Sequence, residues 1–233
     1  MRFVSLPGLT SYAAARETQL DLVERRARGE IPDTVLFLEH EPVVTRGRGL
    51  QWSGAARARH VPLAAELPRG IAFEESERGG DLTYHGPGQL VIYPIVKLDG
   101  SGFGPRHDVA AYLRKLEGAL TGMVAPYGLA AEAREGATGV WVGVRKVASI
   151  GIAVRKWVTY HGMAVNAVND LAPFGLISPC GFSPEVMTRL ADLSPRFAEE
   201  WGADWRGWLE EKLSHSLAGE RGFALTSESR VLG

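Results

Sequence analysis

Cys180 is the single cysteine of the 233-residue chain and stands in the run ISPCGFSPEVM. A lone cysteine closes no internal disulfide, so it is either a small buried apolar side chain or a reactive thiol in a reducing compartment. Pro179 and Gly181 fix the chain around it and allow close approach. Ser183, Pro184 and Glu185 read as N-cap, N1 and N2 of a helix just downstream, whose positive end would favour a thiolate and later a carbonyl oxyanion. Lys146 gains interest from scarcity. Lysine occurs only at positions 97, 115, 146, 156 and 212, while arginine supplies most of the positive charge. A desolvated lysine can release its proton and act as a base, which arginine cannot. The alternative is an ordinary turn lysine on a hairpin.

A third group of residues lies in RGGDLTYHGPGQL, residues 78 to 90. Glycines at 79, 80, 86 and 88 permit close backbone approach, and Thr83, Tyr84, His85 and Gln89 offer hydrogen-bonding groups, so the run reads as a binding wall; a purely structural turn is the alternative. It lacks the Gly-Lys-Ser/Thr ending of a phosphate loop and opens no helix as a dinucleotide fingerprint does. His161, in TYHGMAVN, sits in an apolar alternation beside Gly162, either facing a ligand or satisfying a backbone carbonyl in the core. With Cys180, His85 or His161 would suit a cysteine hydrolase. Neither belongs to an HExxH or CxxC pair, so no metal site is expected.

The elements that must position these residues follow from periodicity. Residues 11 to 28 carry apolar positions at helical spacing and stop at Gly29. TVLFLEH (34 to 40) and VVTRG (43 to 47) read as strands around a turn at Glu41-Pro42. IAFEES and LVIYPIVKL read as strands, with GGDLTYHGPGQ between them as an irregular glycine-rich connection. A second helix is predicted over 107 to 127, ended by Gly128. TGVWVGV (138 to 144), KVASIGIAV (146 to 154) and WVTYHGMAVNAV (157 to 168) are joined too tightly for parallel crossovers and so predict an antiparallel meander. The carboxyl third is read as helical, with an amphipathic stretch from Pro195 to Leu217 that places Trp201, Trp205 and Trp208 on one face for core packing. The order predicts a single α+β domain over 1 to 233 with a mixed, largely antiparallel sheet flanked by helices.

Composition narrows the partners. Hydrophobic residues at 45% and charged residues at 23% suit a globular core, and a net charge of −1 argues against a general nucleic-acid binder. The amino terminus shows neither a signal peptide nor a membrane span, so a cytoplasmic protein without membrane attachment is expected. Two basic runs, Arg46, Arg48, Arg57, Arg59 and His60, then Arg145, Lys146, Arg155 and Lys156, read as solvated faces.

Taken together, EHEPVVTRGR (39 to 48), RGGDLTYHGPGQLVIYPI (78 to 95), GVWVGVRKVASIGI (139 to 152), TYHGMAVN (159 to 166) and DLAPFGLISPCG (170 to 181) resemble the lipoyl(octanoyl) transferase family. The resemblance covers roughly residues 36 to 182. It implies the catalytic-domain fold of biotin and lipoate protein ligases, no cofactor, Cys180 as the acyl-thioester nucleophile and Lys146 as the group that lowers its pKa and shuttles protons. It also implies substrate contacts at Arg78, Gly79, Gly80, Asp81, Leu82, Thr83, Tyr84, His85, Ser149, Ile150, Gly151, His161, Gly162 and Met163. The implied donor is octanoyl-acyl carrier protein. The implied acceptors are lipoyl domains of 2-oxoacid dehydrogenase complexes and the glycine cleavage H protein. Ile150, Ile152 and Met163 are candidates for lining an apolar slot, and amides near Cys180 or at Gly79 and Gly80 are candidates for an oxyanion site. One of the arginine-rich runs is a candidate dock for an acidic carrier protein. An ATP-dependent lipoate or biotin ligase, a cysteine hydrolase and a non-enzymatic carrier-binding module are the rival readings.

Overall fold

The computed structural model describes residues 1–49, 66–101, 103–177, 183–201, 204–218 and 225–226. Its amino-terminal strand β1 (Arg2–Thr10) was not apparent in the sequence, because Pro7-Gly8 interrupts the alternation. The strand tolerates them through a register shift between Ser5 and Leu9, with Gly8 at φ +66°. Helix α1 (Tyr12–Ala27) begins where predicted: the Ser11 hydroxyl accepts the Ala14 amide at 3.3 Å. Gly29 follows its end at φ +78°.

Strands β2 (Thr34–His40), β3 (Val43–Arg46), β4 (Ala72–Glu75), β5 (Leu82–His85) and β6 (Gln89–Ile95) come next. Glu41 and Pro42 do not make a hairpin of β2 and β3. They redirect the chain, so that β3 pairs with β4 in parallel and β5 in antiparallel in a separate three-stranded sheet. The run GGDLTYHGPGQ is likewise not wholly irregular. Its Leu-Thr-Tyr-His core is extended enough to form β5, and the glycines serve as its ends.

Helix α2 (Val109–Val124) is capped by the Asp108 carboxylate, which accepts the Ala111 amide at 2.8 Å, and its last turn closes at Gly128 with φ +70°. Strands β7 (Ala131–Ala133), β8 (Gly139–Val142), β9 (Arg145–Arg155) and β10 (Val158–Asn166) then run antiparallel to one another, as their short connections require. Ser183-Pro184-Glu185 starts only a three-residue 3-10 turn with no side-chain cap, after which Met187 is extended and bridges Lys146. One turn aligns too few peptide dipoles to act on a thiolate, so the helix expected there is corrected. Within the stretch from Pro195 to Leu217 lie α4 (Pro195–Trp201) and α5 (Trp205–Ala218), preceded by the short α3 (Leu190–Leu193). Trp205 and Trp208 are buried in the core with Phe197, as the packing reading requires.

The large sheet has the order β11-β1-β2-β6-β10-β9-β8-β7, β11 being Leu225–Thr226. Among the described residues of this sheet the parallel pairs are those of β1 with β2 and β11. Strand alternation sends Val35, Phe37, Ile92 and Val165 to one face, under Leu116, Leu120, Leu209 and Leu213 of α2 and α5. Leu36, Leu38, Val91 and Ile95 face the opposite way, under Leu22 and Val23 of α1. The sheet is therefore buried on both sides.

Helix α2 offers a paired test of this packing. Leu116 is fully buried, whereas Gly118 is exposed and a Cβ there would meet nothing within 4 Å. In urea unfolding, Leu116→Ala is expected to cost about 2–5 kcal/mol and Gly118→Ala to add about 0.5–1 kcal/mol.

Candidate active site

Two cavities lie along β9. The larger, about 400 Å³, is bounded by Lys146, Ile150 and Ile152 of β9, by Val109 and Leu113 of α2, by Gly136–Thr138, and by Gly79–Asp81. The smaller, about 30 Å³, is a narrow slot that shares Gly80, Ile150 and Gly151 with the chamber. It runs on past Ser149, Met163 and Gly162 to a wall of Tyr12, Tyr93, His85 and His161.

The slot exists because the small sheet lies on β9 through main chain. The Gly79 amide donates to the Ile152 carbonyl at 2.9 Å, and a Cβ on Gly151 would sit 2.8 Å from the Gly79 carbonyl oxygen. That hydrogen bond uses the Gly79 amide, which is therefore corrected as an oxyanion candidate. Arg78, almost buried, fixes the loop. Its guanidinium donates to Thr45 Oγ1 and the Thr45 carbonyl, both at 2.8 Å, and to the Asp81 carbonyl at 2.7 Å.

Alternation along β5 divides its residues. Thr83 and His85 line the slot, whereas Leu82 and Tyr84 pack with Val44, Phe174, Ile177 and Met187 on the far side. Any contact that Leu82 or Tyr84 makes with the slot is main-chain. Asp81 borders only the chamber. Arg78, Gly79, Gly80, Thr83, His85, Ser149, Ile150, Gly151, His161, Gly162 and Met163 are brought together around the two cavities. Cys180 lies outside the described residues, as do Arg57, Arg59 and His60.

Lys146 is 2% exposed, so it is not a turn lysine. Lys146 borders the chamber with Ile150 and Ile152, and the β8–β9 register shifts beside it at Val140/Trp141. The Lys146 carbonyl accepts the Thr188 amide at 3.0 Å, which ties the segment resuming at Ser183 to this strand. A buried polar line reaches the same place from the slot. His85 Nδ1 donates to Gln89 Oε1 at 2.7 Å, Gln89 Nε2 donates to Asn166 Oδ1 at 2.9 Å, and Asn166 Nδ2 donates to the Thr188 carbonyl at 3.0 Å.

His161 occupies the left-handed region at φ +56°, a strained position for a residue with a side chain. Strands β6 and β10 pair from Gln89–Asn166 to Ile92–Met163; Pro94, just beyond, has no amide hydrogen to continue the ladder. The His161 amide turns instead to Gln19 Oε1 at 2.6 Å. Its Nε2 stands 3.4 Å from Glu77 Oε2, and Arg16 Nε holds that same oxygen at 3.0 Å. His40, behind the wall, donates from Nδ1 to the Thr10 carbonyl at 2.9 Å, leaving Nε2 to accept the Tyr93 hydroxyl at 2.7 Å. Burial lowers the pKa of all three histidines, that of His40 to about 4. Among the described residues, no group of three or more His, Cys, Asp or Glu side chains is placed to hold a metal ion.

Sequence reasoning missed Tyr12, Tyr93 and Ala164 in the slot wall. The two tyrosines sit at apolar-periodic positions, so their pattern signals core and nothing more. The basic runs are partly neutralised: Arg46 pairs with Glu75, and Arg155 and Lys156 pair with Glu24. Among the described residues no helix is long and apolar enough to cross a membrane.

Residues 11–201 match the family model of the lipoyl protein ligase A/B catalytic domain. An octanoyltransferase from Gloeobacter violaceus is 44% identical over 195 residues, 83% of this chain and 82% of that protein. One from Chloroflexus aurantiacus is 45% identical over 189 residues, 79% of this chain and 80% of its own length. Among solved structures, lipoate-protein ligase A bound with ATP superposes with a TM-score of 0.66 at 18% identity, covering 98% of this chain and 91% of that one. The bi-partite lipoate protein ligase of Thermoplasma acidophilum gives 0.63 at 18% identity, covering 98% and 88%. These two structures establish a shared ligase-like fold, as expected from the sequence.

The histidines make stability pH-dependent in a defined direction. Below the ordinary histidine pKa of about 6.5 the unfolded chain binds protons that the folded one excludes, so stability falls as pH drops from about 6.5 toward 4. His40 alone accounts for about 3 kcal/mol at pH 4, at roughly 1.4 kcal/mol per pH unit. Urea unfolding between pH 7 and 4 is expected to show this loss, and His40→Gln to show a shallower one.

Proposed function

The chain belongs to the lipoyl protein ligase A/B catalytic-domain family and is an acyltransferase, and we propose that it moves an octanoyl group from acyl carrier protein to a lysine of a lipoyl domain through a thioester on Cys180. The observation that carries the proposal is a buried lysine at the edge of a chamber that opens beside a narrow, mostly apolar slot.

The Cys180 thiol gives its proton to the Lys146 amine and the thiolate attacks the carbonyl of the phosphopantetheine thioester. A bond from Sγ to the acyl carbon forms, the bond to the pantetheine sulfur breaks, and Lys146 returns the proton to the departing thiolate. Little net free energy changes, since one thioester replaces another. The acceptor ε-amine then attacks the acyl-enzyme, and as the C–N bond forms and the C–S bond breaks, Lys146 passes the amine proton to the Cys180 sulfur. Amide formation makes the second half favourable.

The slot supplies the ruler. Each methylene buried there contributes about 0.8 kcal/mol; at about 30 Å³ the slot receives the first methylenes of an eight-carbon chain, and its walls must part to admit the rest. Ile150 and Met163 provide apolar wall, with Ser149, Gly151 and Gly162 between them, while Gly80 and Arg78 hold the roof. Ile152 faces the chamber, where the pantetheine arm and the acceptor lysine must approach. Lipoyl domains of 2-oxoacid dehydrogenase complexes and the glycine cleavage H protein are the proposed acceptors, and the cytoplasm the proposed site of action.

Intact-mass measurement after mixing with octanoyl-acyl carrier protein tests the route. An octanoyl adduct is expected on the wild type and none on Cys180→Ala; an adduct that survives the substitution refutes the thioester. Lys146→Ala is expected to slow adduct formation at neutral pH by about 10²–10⁴-fold, the usual contribution of general acid–base catalysis.

A further inference from the structure

Lys146 reaches its chamber along a path built by two residues of β8. In the β8–β9 register Trp141 stands opposite Lys146, and Lys146 Nζ lies 5.5 Å from the Trp141 ring centroid. The ring is fixed: it is 2% exposed, and its indole N–H donates to the Ala137 carbonyl at 2.9 Å. Gly139 clears the way. A Cβ there would lie 2.7 Å from Lys146 Cε and would run into the Ala148 carbonyl, and its φ of +133° is one that side-chain-bearing residues rarely adopt. The lysine stem therefore passes over a position where only glycine fits, and its head lies near an aromatic ring that cannot turn.

We propose that Trp141 is a positioning residue for proton transfer, its braced ring holding the Lys146 amine at the chamber wall and favouring the ammonium that must protonate the departing thiolate. The physical basis is the negative face of the indole, which attracts a cation more strongly when water is excluded. This rests on the reading of Lys146 as the proton carrier. Other charges bear on the same amine. The Arg134 guanidinium lies 5.0 Å from the Trp141 centroid and itself pairs with Glu132. Asp81 borders the chamber, Arg145 precedes Lys146 on β9, and Glu185 lies in the 3-10 turn next to the Met187 bridge. Arg134 shares the Trp141 ring with Lys146, so an Arg134→Gln control separates loss of its contact from loss of the one with Lys146.

The test compares Trp141→Phe, Trp141→Leu and Lys146→Ala, with a parallel series carrying mono-, di- and trifluorotryptophan at position 141. Two rates are followed against pH: octanoyl-adduct formation from octanoyl-acyl carrier protein, and alkylation of Cys180 by iodoacetamide, which needs no acyl donor. Trp141→Leu is expected to lower the maximal adduct rate about tenfold, the scale of a desolvated cation–π contact, with little change in KM. Trp141→Phe, which keeps a π face, should stay within about threefold of wild type. The fluorinated rings keep shape while weakening the negative face, so the pH profile should shift stepwise with fluorine number even if Trp141→Leu fails to fold. A pH profile unmoved across the fluorine series overturns the role of Trp141. If Lys146→Ala itself leaves the pH dependence of alkylation unchanged, the fault lies with the proton-carrier reading, and the proposal falls with it.

Discussion

The contact between the Arg78–Asp81 loop and β9 is the constraint on which the rest of the site depends. Two sheets built on different hydrogen-bond ladders meet there backbone to backbone, with the Arg78 side chain packed beside Gly151, because Gly79 and Gly151 carry no side chain to hold them apart. Gly47 closes the same junction from β3, where a Cβ would run into the Gly80 carbonyl. Closing that gap brings Thr83 and His85 of one sheet over Ser149, Ile150 and Met163 of the other, and the narrow space between them is the slot. The buried Arg78 guanidinium ties the loop to β3 by donating to the Thr45 carbonyl and hydroxyl and to the Asp81 carbonyl.

The second requirement is that polar groups be buried close to the acyl path without being left unsatisfied. The line from His85 through Gln89 and Asn166 to Thr188 meets it with side-chain amides, each used as donor and acceptor. It ends on the residue whose amide bonds to Lys146, so the slot floor and the proposed proton carrier belong to one rigid unit. His161 is the exception in this wall. Its strained backbone lies where the β6–β10 ladder stops short of Pro94, and its ring nitrogens make no hydrogen bond of normal length among the described residues. Strain of this kind persists only where the surroundings hold it, here Gln19 on the amide and Tyr12 stacked on the ring at 6.3 Å.

Much of this was legible in the sequence where the signal is local. Apolar spacing marks the helices over 11–28 and 107–127, Gly29 and Gly128 end them, and the tight joints of 138–168 dictate an antiparallel meander. What failed depends on partners distant in the chain. Pro7-Gly8 hides β1, since only the pairing with β2 supports it. Ser183-Pro184-Glu185 has the composition of a helix start, but the pairing of Met187 with Lys146 pulls the next residues into an extended path. The cluster Arg78, Gly80, Thr83, His85, Ser149, Gly151 and Met163 was implied by the family resemblance of the motif blocks, and its members converge around the two cavities. Tyr12, Tyr93 and Trp141 carry no mark of their own; an aromatic at an apolar-periodic position looks the same whether it faces core or cavity.

The central claim is that the slot between the two sheets receives the acyl chain while the chamber beside Lys146 receives the groups that exchange it. A crystal structure of the protein trapped as its octanoyl thioester tests this most directly. Continuous density for the chain between Gly80, Ile150, Gly151 and Met163, ending toward the Tyr12 and Tyr93 wall, is the predicted result. A chain lying over the outer surface, or extending into the chamber with the slot unchanged, would contradict the account.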